Sequence, residues 1–95
     1  MNLCWTGPAV SDLHAIYDYI SHDSQTYADA IVADIFEATD RLVSFPLSGR
    51  MVPELEDEQT RELIVGHYRI IYDVQEATIR ILTVLHGARK FPDHL

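Results

Sequence analysis

A chain of 95 residues, 47% hydrophobic and 23% charged, makes one domain with one core, leaves little room for a deep private pocket, and is not disordered. A net charge of −8 disfavours nonspecific binding to a polyanion. The single cysteine, Cys4, excludes an internal disulfide, and no apolar run approaches the ~18 residues needed to span a bilayer.

Residues 2–5 form a short β-prone opening that ends in Trp5. Met1 to Trp5 carries no positive segment followed by a long apolar stretch, so no signal peptide is expected, and the cysteine usage suits a reducing, cytoplasmic setting. Thr6 or Gly7 caps a first helix with Pro8 in its first turn, and Val10, Leu13, Ile16, Tyr17 and Ile20 recur at helical spacing to about Ser21. Asp12, Asp18 and Ser11 fall on the opposite, wet side. Asp23 or Ser24 caps a second helix. Its apolar stripe is Ala28, Ile31, Ile35, Ala38, Leu42 and Phe45, and Phe45-Pro46 ends it. Residues 46–60 read as a loop, and the acidic run Glu54 to Glu58 reads as its solvated part.

The last third changes period. Arg61–Val65, Tyr68–Val74 and Thr78–His86 are strands separated by turns at Gly66-His67 and Gln75-Glu76-Ala77. The order is β-α-α-β-β-β, an α+β domain with a helical hairpin on one face of a small antiparallel sheet. The hairpin covers only one face. The last strand nevertheless alternates Ile79, Ile81 and Leu85 on one side with Leu82 and Val84 on the other. An uncovered, partly apolar and partly cationic face marks a surface for a partner.

The cations are unevenly placed: residues 1–47 hold seven acids and one base, Arg41, whereas residues 48–95 hold eight acids and six bases. No phosphate-cradling glycine loop, zinc spacing or Ser-His-Asp arrangement occurs, and no cofactor is expected. His14 and His22 belong on or near the helix surface. The remaining set is Arg50, Arg61, His67, Arg69, Arg80, His86, Arg89 and Lys90. Strand arginines can hold phosphates or carboxylates in two-pronged fashion, and His86 can transfer a proton. The alternative is that Arg69 and Arg80 pair with acids such as Asp73 and Glu62, leaving His86 an ordinary strand-end residue.

Taken in order, these segments resemble the RelE/ParE family of type II toxins, its ParE (plasmid-stabilisation) branch above all. The resemblance runs from Trp5 to Pro92. It rests on Trp5, on Ala9 with Asp12-Leu13 and Ile16 to Ile20, and on Phe45-Pro46 followed by Ser48-Gly49-Arg50-Met51-Val52-Pro53-Glu54. Arg61-Glu62-Leu63, Tyr68-Arg69-Ile70-Ile71-Tyr72 and His86-Gly87-Ala88-Arg89 complete it. It implies a single toxin domain over residues 1–95, neutralised by a cognate antitoxin that wraps an extended or helical segment over the spare apolar surface. The partner-binding candidates are then Arg50, Arg61, Arg69, Arg80, Leu82, Val84, His86 and Arg89, and a homo-oligomer through uncovered apolar surface is also admitted.

The family divides by target. ParE-like members act on DNA gyrase, and RelE-like members cut mRNA on the ribosome. In the second branch Arg69, His86 and Arg89 would be catalytic, with the two arginines on the scissile phosphate. This chain departs from that pattern. After Arg89 its tail is Lys90-Phe91-Pro92-Asp93-His94-Leu95, with no tyrosine, and only His86 or His94 can act as base or acid. Missing chemistry and acidic charge favour gyrase inhibition without catalysis. The alternatives are mRNA cleavage and a non-toxic interaction domain. Either way, Arg69 or Arg89 is expected on the sheet face away from the helices.

Overall fold

The computed structural model describes residues Met1–Asp93. Helix α1 spans Gly7–Ser21 and α2 spans Gln25–Asp40, joined by a short turn into an antiparallel hairpin. Thr6 caps α1, its hydroxyl accepting from the Ala9 amide at 3.3 Å, and Ser24 caps α2, accepting from the Tyr27 amide at 3.1 Å. A 3-10 turn over Arg41–Val43 continues α2, so the helical run stops two residues before Phe45. The strands are β1 Asn2–Trp5, β2 Arg50–Met51, β3 Thr60–Val65, β4 Tyr68–Gln75 and β5 Thr78–His86.

The expected α+β architecture is present, two helices packed on a sheet, with two refinements. The five strands are ordered β1-β5-β4-β3-β2, and β1 lies parallel to β5, so the sheet is mixed. The segment after Pro46 is also not all loop, since Arg50 and Met51 pair with Glu62 and Arg61 as an edge strand. β3, β4 and β5 form the expected antiparallel meander. A parallel partner can only come from a distant segment, and here the helical hairpin and strands β2, β3 and β4 all lie between β1 and β5 in the chain.

The main core lies between the hairpin and one face of the sheet. Ala9, Leu13 and Ile20 of α1 and Ala28, Ile31 and Ile35 of α2 meet Ile70, Tyr72, Ile79, Ile81 and Val84. Fully burying each large side chain contributes about 1.5–3 kcal/mol. Val10 and Phe45, read as parts of the two stripes, are instead exposed by 40% and 65%, and Ala9 takes the core position of α1.

The face assignment of β5 needs a correction. Ile71 pairs with Thr83 while Tyr72 pairs with Ile81, so Leu82 is an extra residue in the ladder. Such a bulge reverses the alternation beyond it. Val84 therefore joins Ile79 and Ile81 under the helices, while Leu85 joins Leu82 on the other face. Thr6 secures the bulge, its hydroxyl donating to the Ile81 carbonyl at 2.8 Å and the Leu82 carbonyl at 3.3 Å.

The second face is covered too. Ile71, Leu85 and Val52 form a smaller buried cluster, with Leu55, Leu82 and Phe91 packed against it. The loop before β2 is held by Tyr72, whose buried hydroxyl donates to the Pro46 carbonyl at 2.9 Å and accepts from the Gly49 amide at 3.0 Å. A side chain at Gly49 would place its Cβ 2.6 Å from both the Glu62 carbonyl and the Tyr72 hydroxyl.

Gly49→Ala should therefore lower unfolding free energy by about 1–3 kcal/mol. Gly7→Ala, where an added Cβ meets nothing within 4 Å, should be near neutral. Urea denaturation of the two variants beside the wild type checks the contrast.

Candidate functional site

Most of the functional side chains foreseen from sequence fall into three places. Arg50, Arg69 and His67 gather around the β3–β4 end of the sheet, where they line a cleft of about 340 Å³ with Glu54. His86 and Arg89 line a separate cleft of about 400 Å³ against Asp12, Ile16 and Tyr19 of α1. Arg80 lies elsewhere on β5, with Leu82, in a third cleft that includes Asp73 and Phe91.

The first group is an ion network built by the register of the sheet. Glu62 pairs across the ladder with Arg50, and Arg69 lies diagonally across on β4, opposite Ile64. Such diagonal neighbours are within reach of long side chains. Glu62 has no exposed side-chain surface, and it accepts from Arg50 Nε at 2.5 Å and Arg69 Nε at 2.6 Å. Arg69 is thus on the face away from the helices, as expected, but it is not open. Its Nη1 and Nη2 donate to the two oxygens of Glu54 at 2.9 and 2.8 Å, and the Phe91 ring lies 5.2 Å from its guanidinium carbon.

Hydrogen bonds from Arg69 hold the Glu54 carboxyl down to about 2, and Glu54 in turn raises the already high pKa of Arg69. The pairing alternative for the strand arginines is what the geometry shows: Arg69 with Glu62, and Arg80 with Asp73. Arg80 Nε donates to Asp73 at 2.9 Å, its Nη2 reaches the other carboxylate oxygen, and the pairing raises the Arg80 pKa.

The other residues are less engaged. Arg61 donates to the backbone carbonyls of Glu58 and Gly49, both at 3.1 Å, and stitches the loop to β3. Val84 is buried in the core and Leu82 is half-buried. His86 is exposed between His67, stacked at 6.0 Å, and Tyr68, edge-on at 5.5 Å. Its Nδ1 accepts from the Ala88 amide at 3.1 Å, which places a neutral ring's proton on Nε2. Arg89 and Lys90 are exposed and enter no ion pair among the described residues. His94 lies outside the described residues.

Two participants carry no mark in the sequence pattern. Glu54 belongs to the acidic run expected to be solvated, yet it clamps Arg69. Asp12 falls on the side of α1 expected to be wet, yet its carboxylate accepts from the Thr83 hydroxyl at 2.5 Å and the Val84 amide at 3.2 Å. It thereby caps the edge of β5 where β1 has ended. Nothing in linear spacing distinguishes Glu54 from Glu56 or Glu58. The only signal was chemical: a buried sheet face with too many arginines for its acids.

Comparison with known proteins adds a family. Residues 3–91 match the family described as the ParE toxin of the type II toxin–antitoxin system, parDE. Toxin RelE2 of Caulobacter vibrioides is 36% identical over 86 residues, covering 90% of this chain and 93% of that protein. Protein Y4kP of Sinorhizobium fredii is also 36% identical, over 96% of this chain and 93% of its own. A chain from the solved chromosomal ParDE system of P. aeruginosa superposes with a TM-score of 0.74 at 31% identity, covering 90% of this chain and 95% of that one.

Two outcomes follow from the ion network. Arg69→Ala strips one partner from a buried carboxylate and should destabilise the fold by about 3 kcal/mol, an effect that Glu62→Gln in the same chain should reduce; denaturant titration of the single and double variants measures both. Because the Glu54 carboxyl titrates lower in the folded than in the unfolded chain, its contribution is complete above the ordinary glutamate range. It is lost as pH falls from about 5 towards its folded value of about 2. Glu54→Gln should flatten that part of the stability–pH curve and leave its neutral limb parallel to wild type.

Proposed function

This chain belongs to the ParE toxin family of type II toxin–antitoxin systems, and from that membership we propose that it arrests growth by binding DNA gyrase, without chemistry of its own, until a cognate antitoxin covers it. The observation that carries this reading is the closed state of Arg69. Cleavage of RNA at a 2′-hydroxyl needs a base, an acid and a cation on the phosphate. Here both edges of the Arg69 guanidinium are taken by carboxylates. His86 and Arg89 line the cleft next to that of Arg69 rather than the same one, an arrangement that favours the reading without catalysis. The net charge of −8 further favours a protein target over ribosomal RNA.

Mutual fit with an antitoxin is supported by the apolar side chains left on the surface. Phe45, Leu47 and Met1 line one shallow cleft, and Tyr19 of α1 lines another beside Arg89. An amphipathic segment laid over such grooves buries them. Covering by a second copy is the lesser reading, and the mass of the free toxin in solution separates it from antitoxin binding. The site of action is the bacterial cytoplasm, where gyrase and antitoxin are met.

A second reading, ribosome-dependent mRNA cleavage through Arg69, His86 and Arg89, draws on the likeness to a protein named Toxin RelE2 and on the exposure of His86 and Arg89. One experiment separates them. Purified, antitoxin-free protein is added to a plasmid supercoiling reaction with gyrase and, in parallel, to a translating ribosome extract whose transcripts are mapped. The expected result is inhibited supercoiling or trapped cleaved DNA, with intact transcripts. Cleaved transcripts that vanish in His86→Ala, with unaltered supercoiling, replace the gyrase reading by the nuclease one. Silence in both assays leaves an interaction domain without toxicity.

A further inference from the structure

The two edges of the Arg69 guanidinium are used differently. The Nε edge is fixed at 2.6 Å to Glu62, a fully buried carboxylate on the adjacent strand. The outer edge makes a two-pronged pair with Glu54, which belongs to neither strand nor helix. The Arg69 side chain is 10% exposed and that of Glu54 40%. The arginine is therefore the rigid half of the pair, and its plane is further set by the Phe91 ring. The glutamate is the half that can leave. The cleft beside it is also lined by Arg50 and His67, so an incoming anion meets further donors.

We propose that the outer edge of Arg69 is an anion-binding site kept closed by Glu54, and that a carboxylate side chain of a partner protein opens it by taking the place of Glu54. The forked geometry fits carboxylate and phosphate alike. The surroundings decide between them. Glu56, Asp57 and Glu58 follow Glu54 on the same loop, and the whole chain is acidic. A nucleic-acid backbone brings a charge with every nucleotide and is repelled along its length, whereas a protein carboxylate brings one. Exchange of one carboxylate for another keeps the network neutral, and the released Glu54 is rehydrated at the surface. The site rests on the same Arg69–Glu54 pairing that supports the non-catalytic reading, and its test needs no knowledge of the toxin's cellular target.

The test follows the Nε–Hε signal of Arg69 in nitrogen-15 NMR spectra of the full chain during titration with sodium acetate at constant ionic strength. Glu54 competes as a tethered ligand with an effective concentration of millimolar or more, so acetate binds the wild type weakly. Glu54→Gln keeps the shape and removes the charge, and should bind acetate at least ~10-fold more tightly. Arg69→Lys added to that variant should abolish the gain. Glu54→Ala serves as the second variant, since a glutamine amide can itself remain on the fork. In the wild type, high acetate should shift the Arg69 signal where equal chloride does not. Absence of a gain in both Glu54 variants, or of any acetate-specific shift in the wild type, overturns the site. A preference of ~10-fold or more for inorganic phosphate or a short oligouridylate over acetate overturns the carboxylate assignment in favour of a nucleic acid. No arm involves gyrase, so these outcomes and those of the supercoiling assay are read independently.

Discussion

Glu62 is the constraint on which the second face of the sheet depends. A carboxylate with no exposed surface costs several kcal/mol to desolvate and is tolerated only when its oxygens are fully paired. The pairing comes from Arg50 on one neighbouring strand and Arg69 on the other. Each arginine then fixes something further. Arg50 holds the two-residue edge strand, and with it the loop that carries Val52 and Leu55 over the sheet. Arg69 draws Glu54 and Phe91 onto itself. Replacing such a network by hydrophobic side chains is often neutral or stabilising, so its value here is one of arrangement. It specifies where a loop and a tail with little secondary structure must lie.

The same network lets a strongly acidic chain carry arginines on its sheet without leaving them free. Arg50, Arg69 and Arg80 are spent on acids of the sheet and its loop, and Arg41 makes an exposed pair with Glu37. What faces outward is mostly the acid excess of the helical hairpin, apart from Arg89 and Lys90 just beyond β5. Counting cations in a sequence overstates what a polyanion would meet, because a guanidinium already holding a carboxylate contributes little field at a distance.

Much of this fold was legible in the chain, and the reasons are local. Thr6 and Ser24 sit where the first unpaired helical amides need an acceptor. The turns at Gly66 and Glu76, the two residues with positive φ among the described residues, separate runs of β-branched and aromatic side chains, so the meander follows from composition. The candidate site was less legible because its chemistry is non-local. A one-residue bulge at Leu82 inverted Val84 and Leu85, and period-2 reasoning has no term for it. The parallel docking of β1 depends on where the hairpin delivers the chain. Glu54 looked like its acidic neighbours until the loop was folded back over β4.

Arg69 shows how far family likeness carries and where it stops. The resemblance to RNA-cleaving toxins makes this arginine a candidate phosphate ligand. It lies on the sheet face away from the helices, and its Nε edge is held by Glu62. Its outer fork is already occupied by the Glu54 carboxylate. The fold thus sets the position of the arginine, while a single residue in a loop of no regular structure sets whether that arginine is available. Two chains with the same backbone and the same arginine can differ in function through that one contact, which lies 15 residues away in sequence. What the guanidinium is free to bind therefore has to be read from its contacts, which family membership by itself leaves unspecified.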